Sequence, residues 1–313
     1  MRLVAVSAAV ALFLVVLSAR GFAAQGPIPI SDCENITHPG NYALTNNLIL
    51  DASEQGYGEG GNCLVVSSSH VSIDLGGWTI SVACAPFSFC PPDDGVVGGI
   101  AIEILEGADH ASISHGSVDG FVYGIVGEAD HISASNLNLV SVVGITLTNV
   151  SQSAFKNITF EGADTSYHGS NGPILYLEGG GENVFGNLSG EIGSDLGGPD
   201  GIDVVSSNAN LISGVNLDNT SCGGTDIRIS NSSAFNLIAN NTLFDECGGG
   251  IEVDLGSRYN AILGNAVTIA SPSDVFALLD QNPNCRSDIW IDNNFSNIFQ
   301  PGQVSASPAN CVR

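Results

Sequence analysis

The feature that most narrows what this chain can fold into is a short apolar-polar alternation, opened by glycine or a polar residue, that keeps returning. The copies are Gly99-Ile100-Ala101-Ile102-Glu103-Ile104, Gly124-Ile125-Val126, Gly144-Ile145-Thr146-Leu147, Gly201-Ile202-Asp203-Val204, Asp226-Ile227-Arg228-Ile229 and Gly250-Ile251-Glu252-Val253. With the isoleucines at 125, 145, 202, 227 and 251 set equivalent, the spacings are 20, 57, 25 and 24 residues, and the long gap holds one more copy, Ile174-Leu175-Tyr176-Leu177. A period of about 20 to 29 residues therefore runs along the chain. A second element trails the first at a similar offset: Ser72-Ile73-Asp74-Leu75, Ser112-Ile113-Ser114, Asn183-Val184-Phe185, Asn210-Leu211-Ile212, Asn236-Leu237-Ile238 and Asn260-Ala261-Ile262. Each repeat thus holds at least two short strands, and long helical periodicity is missing.

A leucine-rich repeat shares this period, but its Leu-x-x-Leu-x-Leu frame with a fixed Asn does not occur in these copies. Coils of two or three strands that wind upward and stack in parallel bury Ile, Leu and Val and turn alternate residues outward. The expectation is an all-β, single-domain right-handed parallel β-helix over residues 25–313. In it the Asn series at 183, 210, 236 and 260 becomes a ladder, each amide bonding to the next coil's. Residues 82–98 and 163–173 read as loops protruding from a coil. Residues 273–281 open with Ser273 as an N-cap and space Val275, Leu278 and Leu279 helically, which predicts a small C-terminal helical insertion capping the stack.

Residues 1–24 have the anatomy of a secretory signal peptide: Arg2, an apolar run from Val4 to Leu17, and a small-residue exit at Ala23-Ala24. The run is too short to span a bilayer and no later run reaches eighteen apolar residues, so the expectation is a secreted or periplasmic, monomeric chain with no membrane span; an uncleaved anchor is the alternative. Charge then restricts partners. The whole chain carries 32 Asp+Glu against 7 Lys+Arg, a formal charge of -25, and loss of Arg2 and Arg20 makes it more negative. Nucleic acid is excluded as a natural partner, and bare polyanions are repelled unless Ca²⁺, the one cofactor the composition suggests, bridges them to the protein.

Eight cysteines follow the signal. An even number in an exported chain favours disulfides over thiols or zinc. Neighbours along a solenoid are close in space, which predicts Cys33 with Cys63, Cys84 with Cys90, Cys222 with Cys247 and Cys285 with Cys311.

The opening Cys33-x-x-Ile36, Pro39-Gly40-x-Tyr42-x-Leu44, Cys63-Leu64-x-Val66 and Val71-Ser72-Ile73-Asp74-Leu75-Gly76-Gly77-x-Thr79-Ile80 resembles the first coils of secreted right-handed β-helix proteins of the pectin-lyase-like superfamily. The resemblance implies the fold and a general association with carbohydrate binding or cleavage, without implying one reaction. Within it, Pro199-Asp200-Gly201-Ile202-Asp203 is similar to the Asn-Thr-Asp-Gly-Ile-Asp motif of polygalacturonase-type glycosidases, which implies Asp200 as a general acid. The chain departs from that family one coil on, where Gly224 and Thr225 stand for its Asp pair and Asp226 comes one position late, and again at Gly249, where its His belongs. The family's Arg-x-Lys element is not visible.

Stacking supplies the other candidates. Asp203, Arg228 and Glu252 each follow an aligned isoleucine and so form one outward column, about 4.8 Å per step. Its functional reading resembles a polysaccharide lyase, in which acidic side chains hold Ca²⁺ against a uronate and Arg228 removes a proton; its plain reading is a solvated ion-pair ladder. Asp200, Asp203, Arg228 and Glu252 are thus the catalytic candidates, with Asp226, Asp254 and Tyr176 as substrate-binding neighbours on the face built by residues 198–254. His70, His110 and His131 precede equivalent strands and stack at one turn, where imidazoles bind copper or zinc in some settings and are ordinary turn residues in most. Trp78 and Trp290 lie at opposite ends, so no long sugar-stacking platform is evident, while Tyr123, Tyr167 and Tyr176 could line a shallow groove. Asn-x-Ser/Thr sites at Asn149, Asn157, Asn187, Asn219 and Asn231 matter in a eukaryotic secretory route and are otherwise turn chemistry. The function expected is an exported β-helix that binds an extracellular polysaccharide, with cleavage by a lyase or glycoside hydrolase left open; the alternative is a non-catalytic structural or adhesive solenoid.

Overall fold

The computed structural model describes residues 26–51, 61–83, 99–161, 172–192, 200–220, 224–246, 248–270, 276–285, 287–297 and 305–307. Within them 26 strands wind into a right-handed solenoid in which every strand-strand pairing is parallel. A coil has three faces, one more than the two visible as repeats; residues 211–230 hold one strand on each, whereas Ser112–Gly127 runs as one strand around all three.

The first sheet stacks the Gly-Ile-x-Val copies, with Leu175, Ile202, Ile227, Ile251 and Leu278 in one inward column. The second stacks the trailing elements, with Phe155, Phe185, Ile212, Ile238, Ile262 and Trp290 in register. The third sheet, whose strands the repeats did not mark, stacks Leu217, Leu243, Val267 and Phe295. Its strands are short and differ in composition, from Asn216–Asn219 with one apolar residue to Ala266–Ile269 with two buried ones, so no common alternation stands out. Together the three columns fill the interior, and the isoleucines of the first are fully buried.

The glycine that opens many copies has a packing cause. A Cβ on Gly201 would lie 2.6 Å from the Asp226 carbonyl oxygen, and one on Gly250 would lie 2.4 Å from that of Ala277. At this corner the next coil's backbone occupies the space a side chain needs.

Two ladders of buried asparagine hold the other corners. In the first, the expected one, Asn183 donates to Asn210, Asn210 to Asn236, Asn236 to Asn260 and Asn260 to Asp288, at 3.0, 2.9, 3.1 and 3.1 Å. Each carbonyl oxygen also accepts the backbone N–H of the preceding coil's Asn, so one side chain satisfies polar groups on two coils. The second runs Asn241, Asn265 and Asn293, at 2.9 Å per step.

The predicted C-terminal helix is corrected. Residues 273–275 lie outside the described residues, and Phe276–Asp280 form a strand with Leu278 opposite Ile251 and Leu279 opposite Glu252. The exposed edge of the preceding coil offers unpaired N–H and C=O groups along its length, which an added strand satisfies and a nine-residue helix would leave open. The one helical turn here is a single 3₁₀ turn at Pro283–Cys285.

The two predicted loops fall largely outside the described residues, and the first begins later than expected, because Val82 and Ala83 end a strand. Of the predicted disulfides, Cys33–Cys63 is formed across 30 residues and ties the first coil to the second. Cys285 is disulfide-bonded, with its partner outside the described residues. The pairs Cys84–Cys90 and Cys222–Cys247, Cys311 and the signal segment 1–24 lie outside them too. No helix among the described residues is long and apolar enough to cross a membrane.

Candidate functional site

The first sheet presents, in strict register, Tyr176, Asp203, Arg228 and Glu252 on its outer face. Parallel stacking of the aligned copies places them so, since each follows an inward residue and strand side chains alternate. The column exists as the spacing predicts, but its ion pairs do not run along it. Arg228 forks onto Asp254, with Nη2 2.9 Å and Nε 3.2 Å from Oδ2, and its Nη1 lies 3.6 Å from Asp200 Oδ2. Asp200 and Asp254, one coil to either side, thus clamp the guanidinium. Hydrogen bonding to Asp254 is the main cause that raises the Arg228 pKa, holding it cationic.

This clamp leaves Asp203 and Glu252 without an ion partner and in different surroundings. Asp203 is half-buried, and its Oδ1 has no hydrogen-bond partner. Burial pushes its carboxyl up to about 6, the Asp200 charge adds to that, and Arg228 opposes it. Glu252 is positioned by two neighbours the sequence did not suggest: the Thr225 hydroxyl at 3.3 Å and the Gln281 side-chain amide. Gln281 directly follows the strand misread as helix, so that misreading concealed it. Asp200 does not stand free as an acid: its Oδ1 accepts the Thr225 N–H at 2.8 Å while Oδ2 faces Arg228. Tyr176, beside Asp203, bonds Glu178 at 3.3 Å; burial first, and then the carboxylates of Glu178 and Asp203, raise its pKa.

Asp226 is a correction. Expected among the substrate-binding residues, it is fully buried, with neither carboxyl oxygen hydrogen-bonded at good geometry. It stands in the column of the glycines, between Gly201 and Gly250, and therefore points into the interior. There burial first, and the buried Asp245 next, raise its pKa well above the usual carboxylate range, with the Asn219 side chain offsetting part. Asn219 is itself buried and is no glycan acceptor in the folded chain. Asn149, Asn157, Asn187 and Asn231 instead take the left-handed turn conformation, φ 52 to 57°.

The histidine column is formed: His70, His110 and His131 stack with ring centroids 4.8 and 4.4 Å apart. Stacked faces do not converge on a point, and among the described residues no group of three or more His, Cys, Asp or Glu side chains is arranged to hold a metal ion. For Ca²⁺ the carboxylates nearest Asp203 are already committed to Arg228. Tyr123 is exposed on the first sheet, Tyr167 lies outside the described residues, and Trp290 is in the core.

This architecture is a right-handed parallel β-helix. Among solved structures, the Dettilon tailspike protein (gp208) is similar with a TM-score of 0.63 at 14% identity, over 86% of this chain and 54% of that one. DFA-IIIase from Arthrobacter chlorophenolicus A6, solved in complex with DFA-III, is similar with a TM-score of 0.60 at 13% identity, over 88% of this chain and 65% of that one. The chain thus spans less than two thirds of either protein, and at this identity the likeness is one of fold. No protein-family model matches the sequence, and no curated protein matches it.

Proposed function

We propose that the chain is an exported β-helix protein that binds an extracellular polysaccharide across its first sheet and hydrolyses it there. The observation that carries this reading is the half-buried Asp203, its carboxyl raised to about 6 and one oxygen unpartnered, beside a clamped cationic Arg228. A carboxyl of that kind still holds its proton in mildly acidic water and can give it to a glycosidic oxygen. Glu252 stands two strands away, roughly 9 to 10 Å between backbones, a spacing of the order that inverting hydrolysis uses for an acid and a water-activating base. Arg228 between them stabilises the ionised products of that proton transfer, and Asp254 and Tyr176 border the bound sugar. Asp200 serves as the clamp on Arg228, rather than as the acid that its motif suggests.

The lyase chemistry needs Arg228 to accept a proton, and its bonding to Asp254 works against that. Export is supported by the Cys33–Cys63 bridge, by the signal-like segment at 1–24 and by the fold. The second reading, a non-catalytic solenoid, draws on the same clamp, because two carboxylates that neutralise a half-exposed Arg also serve as a plain surface ion cluster.

An array of neutral and acidic polysaccharides at pH 5, with Ca²⁺ and with chelator, separates them. New reducing ends without unsaturated products are the expected outcome; unsaturated products would make the protein a lyase, and no product from any glycan would leave the structural solenoid.

A further inference from the structure

At the turn between the first and second sheets, the residue just before the buried Ser or Asn that opens the second sheet takes the left-handed backbone conformation on successive coils. Gln152, Glu182, Ala209, Phe235 and Tyr259 hold this place on five successive coils, φ 55 to 62°. Such a backbone costs any residue with a side chain, and bulky ones most; Gly or Asn adopt it cheaply. At the next corner the same coils follow that rule, with Asn187, Gly214, Asn240 and Gly264. Phe235 and Tyr259 break it, and they do so in solvent, 63% and 49% exposed.

Their rings lie parallel within 8°, centroids 5.2 Å apart, with the Arg258 guanidinium 5.6 Å from the Tyr259 ring centre. Neither ring belongs to the core, so folding gives no reason for them. On the side of Phe235 away from Tyr259, the next coil offers only the small Ala209. Beyond it opens a groove of about 460 Å³, lined chiefly by Gln152, Gly181, Glu182, Asn208 and Ala209. Gln152 donates to Glu182 at 2.9 Å, which fixes both side chains at the groove floor.

We infer that this corner is a binding strip for a neutral saccharide. A pyranose ring presents an apolar C–H face, which fits the open side of Phe235 and the edge of the Phe235–Tyr259 stack, and hydroxyls around its rim, which fit two amides and one carboxylate. Glu182 and the net charge of -25 select against uronates and phosphates. The strip rests on the carbohydrate reading for its ligand class, but it lies on the turn and uses none of the residues assigned to hydrolysis. It gives the protein a second hold on a chain whose cleavage takes place on the first sheet.

The test is affinity electrophoresis through gels containing β-glucan, xylan, galactomannan or polygalacturonate, comparing wild type, Phe235→Asn, Tyr259→Asn and the double variant. Asparagine is the residue this fold itself uses in the left-handed conformation, so the variants keep the fold, which circular dichroism and the thermal midpoint check. The expected result is retardation of the wild type by at least one neutral polysaccharide and not by polygalacturonate, about ten-fold weaker in the double variant. The inference is overturned if no neutral polysaccharide retards the wild type, if the double variant is retarded equally, or if the substitutions act by dissolving a dimer seen in sedimentation. Product release from the array can persist through each of those outcomes, which keeps the two readings separable.

Discussion

Asp203 comes one position after its aligned isoleucine and Asp226 one position before its own, and that placement decides their chemistry. Asp203 follows Ile202 and faces out; Asp226 precedes Ile227, stands where other copies have glycine, and is sealed inside. The offset was visible in the sequence, but the direction that the glycine position faces was not, because glycine carries no apolar or polar signal. A buried carboxyl without good hydrogen bonds costs stability at neutral pH. Asp226→Asn is therefore expected to raise stability at pH 7, by roughly 1 to 3 kcal/mol, and to change it less near pH 4, measured by calorimetry. The pH dependence follows the same sign for the whole set. Asp203 and Asp288 both rise from 3.8 to about 6 on folding, mainly through burial, and burial also raises Asp226 well above the usual carboxylate range. Each therefore binds its proton more tightly folded than unfolded, so its contribution is full below pH 4 and is lost as pH rises, through about 6 for Asp203 and Asp288. The chain is expected to melt higher at pH 4 than at pH 7, and Asp203→Asn is expected to flatten part of that slope, by about 1 kcal/mol once its partial exposure is discounted. A midpoint that falls steadily from pH 7 to pH 4 would contradict both assignments.

At the scale of the element, the first two sheets were legible because each copy repeats an apolar-polar alternation at one period. The third was not, since its strands, such as Asn216–Asn219, Thr242–Asp245 and Ala266–Ile269, share no common apolar-polar pattern. Phe276–Asp280 misled for a related reason: Leu278 and Leu279 fit a helical spacing as well as a strand, and only the open edge beside them decides. The aromatic pair at 235 and 259 carries a signal too, since its spacing of 24 equals the local period, but the pair lies at a turn and not along a sheet face. The asparagine ladder, by contrast, was read correctly from spacing alone, and it carries a sharp expectation. Asn236 bonds Asn210, Asn260 and the Ser207 carbonyl in the buried corner. Asn236→Ala should cost about 3 kcal/mol or more, because it strands polar groups on both neighbouring coils. A loss below 1 kcal/mol in urea unfolding would mean that water replaces the ladder.

For the molecule as a whole, stacking means that each coil contacts only its neighbours, so stability is distributed along the axis. The Cys33–Cys63 bridge acts at one end of that axis. Its removal by Cys33→Ser with Cys63→Ser should cost about 3 kcal/mol and loosen residues 28–44 first in hydrogen exchange, while the strands around Ile202 and Ile227 stay protected. The solenoid explains why fold and site were legible to different degrees. A repeat announces its fold many times over, whereas a site occurs once and depends on which register neighbour a side chain chooses, as Arg228 chooses Asp254 and Asp200 over Asp203 and Glu252. The most direct test of the central claim compares reducing-end release by wild type and Asp203→Asn at pH 5 over the polysaccharide array, with the thermal midpoint of each recorded. Release by the wild type that falls at least about a hundred-fold in the equally folded variant is the expected result; release that survives the substitution would contradict the assignment of Asp203 as the acid.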